Sequence, residues 1–69
     1  MPFTIEYLWA GTGQPVERMT SVASQIADVE QSARAGIARV RIMRPDTPPN
    51  SYRILDNDGN VVLLRSWAG

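Results

Sequence analysis

The sequence contains no cysteine, no histidine and no lysine. Without cysteine the chain has neither disulfides nor thiolate chemistry, and without histidine we expect no ordinary structural zinc site and no histidine-activated nucleophile. Without lysine there is no side-chain amine for a Schiff base or for the phosphate grip of a Walker motif. The groups left for chemistry are carboxylates, hydroxyls, tyrosines and arginines, and they form no evident acid/base pair.

Long apolar runs are also missing. No stretch approaches the roughly 20 apolar residues of a membrane span, and the first residues show no cationic run followed by an apolar core. We therefore expect a cytoplasmic protein that does not enter the membrane. The seven basic and seven acidic residues cancel, which argues against general affinity for nucleic acid.

The length sets a limit on stability. With 69 residues the chain predicts a single small domain, 1–69. A domain of this size buries only about 60% of the surface that its unfolded chain exposes. Because no disulfide or metal reinforces it, we expect it to gain stability by associating with a second copy or another protein.

Residues 20–44 predict a helix followed by a strand. Thr20 or Ser21 suits the helix N-cap, and Gly36 suits a helix end with positive φ. Residues 38–44 then alternate apolar and polar side chains, which is typical of a strand. The helix prediction depends on a stripe of apolar residues with helical spacing, namely Val22, Ala23, Ile26, Val29 and Ala33.

Two hairpins are predicted around this segment. Residues 3–9 are rich in aromatic and β-branched side chains and indicate a strand. Residues 15–19 are either a second strand pairing back on the first or, with Pro15 at its first position, the start of a longer helix; the cap at residues 20–21 favours the strand. Residues 51–66 indicate a hairpin around a type I turn at residues 56–59, with Ile54 opposite Val62 and Tyr52 opposite Leu64.

These elements predict a two-layer α+β fold. A single helix packs on one face of a small, mostly antiparallel sheet, in the order ββαβββ, or βαβββ if residues 15–19 are helical. The other face should mix arginines with apolar side chains, which is too apolar for a solvated surface and too charged for a core. We expect a second copy or a protein partner to cover it, through the candidate interface residues Arg39, Arg41, Arg53, Leu55, Val61, Leu63, Arg65 and Trp67.

Two groups of residues in these segments have features of other binding sites. Arg39, Arg41, Arg53 and Arg65 could bind single-stranded nucleic acid or another anion on the same face, but the aromatic residues are predicted on the opposite one. The turn residues Asp56, Asp58 and Asn60 alternate like calcium ligands. Val61 and Trp67, however, occupy the positions where a calcium loop has glycine and glutamate. We therefore expect no metal and no cofactor.

One enzyme family shares features with the first half of the chain. Met1-Pro2, a strand, a helix and a predicted strand bearing Arg39 and Arg41 resemble the 4-oxalocrotonate tautomerase family. In that family removal of the methionine exposes a proline whose secondary amine acts as a base. The resemblance implies that role for Pro2 and carboxylate binding for Arg39 or Arg41. The sequence departs from the family at Gly11-Thr12, where the family has Gly-Arg, and in its C-terminal hairpin. An interaction module without catalysis remains our expectation.

Overall fold

A computed structural model describes residues 3–9 and 11–66 of the chain. Its elements, in chain order, are β1 (Phe3–Trp9), β2 (Pro15–Ser21), α1 (Ile26–Ala35), α2 (Ile37–Met43), β3 (Pro49–Leu55) and β4 (Val61–Ser66). The strands form one antiparallel sheet in the order β2-β1-β3-β4. The predicted α+β class with an antiparallel sheet is confirmed, although the element order is ββααββ and the helical layer has two helices instead of one.

The first hairpin forms as predicted. β1 pairs with β2, with Ile5 opposite Met19. β2 is longer than expected, because Thr20 and Ser21 extend it by pairing with the first residues of β1. The prediction that these two residues cap the helix is therefore wrong. The helix α1 begins at Ile26 instead, after Gln25, which makes no side-chain capping hydrogen bond.

The predicted strand at residues 38–44 is wrong, because these residues form α2. Ile37 and Val40, three residues apart, face the core together, whereas Ile42 is exposed. Helical spacing therefore describes the buried residues of this segment better than alternation does. This segment also cannot pair with β1, because β2 and β3 lie on the two sides of that strand.

The core lies between the sheet and the two helices. α1 packs on β1 and β3, and α2 packs on β3. The predicted apolar stripe of α1 is buried only at Val29 and Ala33, while Val22 and Ile26 are exposed. Burying a large apolar side chain contributes about 1.5–3 kcal/mol to the free energy of unfolding, so the few that are buried here account for much of it. The core cluster consists of Ile5, Tyr7, Val29, Ala33, Val40, Tyr52 and Ile54.

The second hairpin has the predicted turn but not the predicted register. The Asp56 carboxylate accepts hydrogen bonds from the backbone N–H groups of Asp58 and Asn60, both at 2.9 Å, and Gly59 has a φ of 86°. A bulge beyond the turn then shifts the pairing by one residue. Ile54 consequently lies opposite Leu63 rather than Val62, and Tyr52 lies opposite Arg65 rather than Leu64.

Candidate functional site

The structure separates the four arginines of the predicted interface. Arg39 and Arg41 lie on α2 and not on the sheet. Arg53 lies on the open face, which we define as the sheet face opposite the helices, because it pairs with Glu6 on β1 and alternates with the buried Ile54. Arg65 lies opposite the buried Tyr52 and contacts α1. Arg39, Arg41, Arg53 and Arg65 therefore do not share one face of the sheet, and the predicted placement is wrong.

The apolar members of the predicted interface stay closer together. Leu55 pairs with Val61 beside the turn, and Leu63 packs partly against the core. Trp67 lies outside the described residues, so its predicted role is not placed in the structure. Of the predicted set, the structure thus brings together the residues at the turn end of the β3–β4 hairpin.

The most exposed apolar segment of the sheet is β4. It is an edge strand, and among residues 3–9 and 11–66 no strand pairs with its outer side. The exposed fraction of the residue is 51% for Val61, 39% for Val62 and 61% for Leu64. An exposed apolar edge is a template for adding another strand, because its outer backbone groups are ready to hydrogen-bond. Val62 and Leu64 are not among the predicted interface residues, because the predicted register placed them on the buried face.

The opposite edge of the sheet has a different character. β2 begins with Pro15 and carries the charged residues Glu17 and Arg18. Proline and charge on an edge strand oppose the addition of a further strand. The two edges of the sheet are therefore not equivalent, and only β4 presents a continuous run of apolar residues.

A polar cluster neutralises the one charge on β4. Arg65 Nε donates a hydrogen bond of 2.9 Å to Glu30 Oε2, and the Tyr52 hydroxyl donates to the same oxygen at 3.2 Å. The hydrogen bond from Arg65 is the main cause of the lowered pKa of Glu30. The carboxylate therefore stays ionised and offsets the charge of Arg65 within the same subunit.

A second polar cluster occupies the open face around Glu6. This carboxylate is 2% exposed and accepts hydrogen bonds from Arg53 Nε at 2.6 Å and from Arg18 Nε at 2.9 Å. Burial acts to raise the pKa of Glu6, but the hydrogen bonds and charges of Arg53 and Arg18 outweigh it, so the pKa is lowered. Both arginines are thus held by an internal carboxylate, which leaves less of their charge for a phosphate backbone.

Two alternative functions, nucleic-acid binding and tautomerase activity, each required an arrangement of arginines that the described residues do not form. A nucleic-acid surface on the sheet would need the four arginines together, but two lie on α2, one on β3 and one on β4. The tautomerase resemblance relied on a strand bearing Arg39 and Arg41, but these two residues lie on the helix α2. Pro2 lies outside the described residues.

The described residues show neither a metal site nor a membrane-spanning helix. Within residues 3–9 and 11–66, no group of three or more acidic residues could hold a metal ion. Neither helix in this part of the chain has the length and hydropathy that crossing a bilayer requires. Comparison with protein-family models, with curated proteins and with solved structures gives no match.

Proposed function

We propose that this chain is a small cytoplasmic interaction module, without catalytic activity of its own, that associates with a second copy through the outer edge of β4. The observation that carries the proposal is the position of an apolar strand at the sheet edge, with Val61, Val62 and Leu64 exposed. Pairing with another strand would cover these side chains and satisfy the outer backbone groups of β4 in one step.

A second copy fits this edge because the edge is complementary to itself. A two-fold antiparallel pairing centred on Leu63 places Val62 beside Leu64 in both directions, so apolar side chains meet apolar side chains. The same register places Arg65 beside Val61 and keeps the two Arg65 side chains apart. In each copy the Glu30 carboxylate lies 2.9 Å from Arg65 Nε and further offsets the charge of that arginine. A short chain without disulfides also has the most to gain from added burial.

The test compares matched charge substitutions at the two sheet edges. Leu64→Lys places a charge on β4 and replaces the apolar contact that Leu64 would make with Val62 of the second copy. Thr20→Lys adds the same charge to β2 and serves as the control, because Thr20 is also exposed on an edge strand. Sedimentation velocity from low micromolar to millimolar concentration should show a dimer for the wild type and T20K. It should show a monomer for L64K.

Amide hydrogen exchange provides an independent readout. The outward N–H groups of β4 should become protected as the concentration rises, while those of β2 should not. A wild-type protein that stays monomeric at millimolar concentration would overturn the proposal. Equal dissociation of the dimer by L64K and T20K would show that the interface lies elsewhere.

A further inference from the structure

A cleft opens between β2 and α2, on the side of the molecule away from β4. Its volume is about 250 Å³. It lies where the helical layer meets the edge of the sheet and is independent of the proposed β4 interface. The residues lining it are Glu17, Arg18, Met19, Arg39, Val40 and Met43.

Arg39 differs from Arg18, which also lines the cleft, and from the nearby Arg44. Arg18 is engaged with the buried Glu6 carboxylate, and Arg44, just beyond α2, lies 3.9 Å from Glu17. Within the described part of the chain, Arg39 makes no ion pair with any carboxylate. A guanidinium presents a planar set of donors that matches a carboxylate in two hydrogen bonds. The cleft therefore contains one cation whose hydrogen-bonding capacity remains open to a ligand.

The wall beside Arg39 is apolar and adaptable. Val40 is buried at its base, Met19 is partly buried and Met43 is exposed. Methionine side chains are unbranched and polarisable, so they adjust to ligands of different shape. Sites for small molecules typically combine such an apolar lining with a few polar groups that fix the orientation of the ligand.

The charged residues and the volume of the cleft restrict the class of ligand that it can bind. Glu17 places a carboxylate in the lining, which disfavours a dianion such as a phosphate monoester more strongly than a monoanion. The volume lies below the roughly 300–1,000 Å³ typical of sites for drug-sized molecules. The geometry points to a binding site for a small organic monocarboxylate, with its carboxylate on Arg39 and its short aliphatic or aromatic body against Met19 and Met43.

The first test separates charge recognition from apolar contact. Titration of the ¹⁵N-labelled protein with hexanoate should shift the amide resonances of β2 and α2, and hexanamide, which has the same carbon skeleton, should bind at least about tenfold more weakly. Arg39→Gln should weaken hexanoate binding by about tenfold or more. Arg41→Gln, which removes the same charge from the same helix but outside the cleft, should change it less than about twofold.

The second test uses apolar side chains on the same helix. Met43→Ala should weaken hexanoate binding several-fold, because Met43 lines the cleft. Ile42→Ala should not, because Ile42 is exposed outside it. Equal losses in R39Q and R41Q, or resonance shifts spread over the surface, would overturn the proposal by showing general charge attraction. If R39Q does not fold, the hexanamide comparison and the M43A and I42A pair decide the question.

Discussion

The hydroxyl of Tyr7 occupies the space beside Gly36 that a β-carbon would need. From that position it donates a hydrogen bond of 2.5 Å to the backbone carbonyl of Ala33, in the last turn of α1. Gly36 itself has an ordinary helical φ of −82°, so a positive φ, as expected from the sequence, is not the reason for a glycine here. A β-carbon at this position would lie far inside van der Waals contact with the Tyr7 oxygen. One tyrosine on β1 thus fixes the junction between the two helices.

We expect Gly36→Ala to lower the free energy of unfolding by about 1–3 kcal/mol, the usual cost of overpacking a core. In a helical conformation without a clash, the same substitution would instead stabilise the protein by roughly 0.4–1 kcal/mol. Urea denaturation of the variant shows whether the free energy of unfolding falls or rises.

A double-mutant cycle isolates the contact between these two residues. Tyr7→Phe alone should cost about 0.5–1.5 kcal/mol, because the hydrogen bond to Ala33 is lost. In the Y7F background the hydroxyl is absent, so Gly36→Ala should become nearly neutral or stabilising. Equal effects of G36A in the two backgrounds would refute the packing argument.

Because Tyr7 is buried, we also expect the fold to lose stability at alkaline pH. Burial raises the pKa of Tyr7 from 10.0 to about 12, with a smaller contribution from Tyr52. Below pH 10 the tyrosine is neutral in both the folded and the unfolded states. As the pH rises further, the unfolded chain releases its proton first, so the free energy of unfolding should fall by up to the order of 3 kcal/mol before it levels off near pH 12. Denaturation curves across this range should show a smaller fall in Y7F, and an equally steep fall would contradict the assignment.

The ion pairs of Glu6 should contribute measurably to the stability of the fold. Its two oxygens accept from different arginines, so in Glu6→Gln an amide NH₂ must face one of them. We expect a loss of about 1.5–3 kcal/mol at neutral pH, the range for hydrogen bonds to charged groups. Glu17→Gln is the control, because that carboxylate lies 3.9 Å from Arg44, and we expect a loss below about 1 kcal/mol.

The pH dependence provides the second readout for Glu6. Because its pKa is lowered in the folded state, the carboxylate stabilises the fold above its unfolded pKa of about 4.3, and this contribution is lost as the pH falls through the folded value. The difference in stability between the wild type and E6Q should therefore shrink below about pH 4. A difference that stays constant down to the lowest pH would mean that the charge of Glu6 is not what stabilises the cluster.

The turn of the second hairpin predicts different roles for its two aspartates. The Asp56 carboxylate accepts from two backbone N–H groups, whereas the Asp58 carboxylate makes no hydrogen bond within the described residues. Asp56→Ala should cost about 1 kcal/mol, as the loss of a comparable side-chain cap does, and Asp58→Ala should cost less than about 0.5 kcal/mol. Thermal unfolding followed by circular dichroism measures both, and an equal effect of the two substitutions would contradict the geometry.

The hairpins could be predicted because their signals are local. Aromatic and β-branched residues marked β1, and the spacing of Asp56 and Gly59 defined the second turn before any tertiary contact was known. The register beyond that turn was not predictable, because the bulge that places Leu63 opposite Ile54 depends on how β4 meets the core. The candidate interface changed with it, since a shift of one residue moves each side chain to the other face.

By itself the sequence determined the α+β class, the two hairpins and the chemistries that are excluded, because composition and turn residues act through the chain's own local geometry. Tertiary structure decided that residues 37–43 are helical, since Ile37 and Val40, three residues apart, are the residues of this segment that pack in the core. It also decided why residue 36 is glycine, since the oxygen that excludes a side chain there comes from Tyr7, far away in the sequence. Which strand lies at the edge, and which arginines pair with a carboxylate of the same chain, depend likewise on contacts between distant segments.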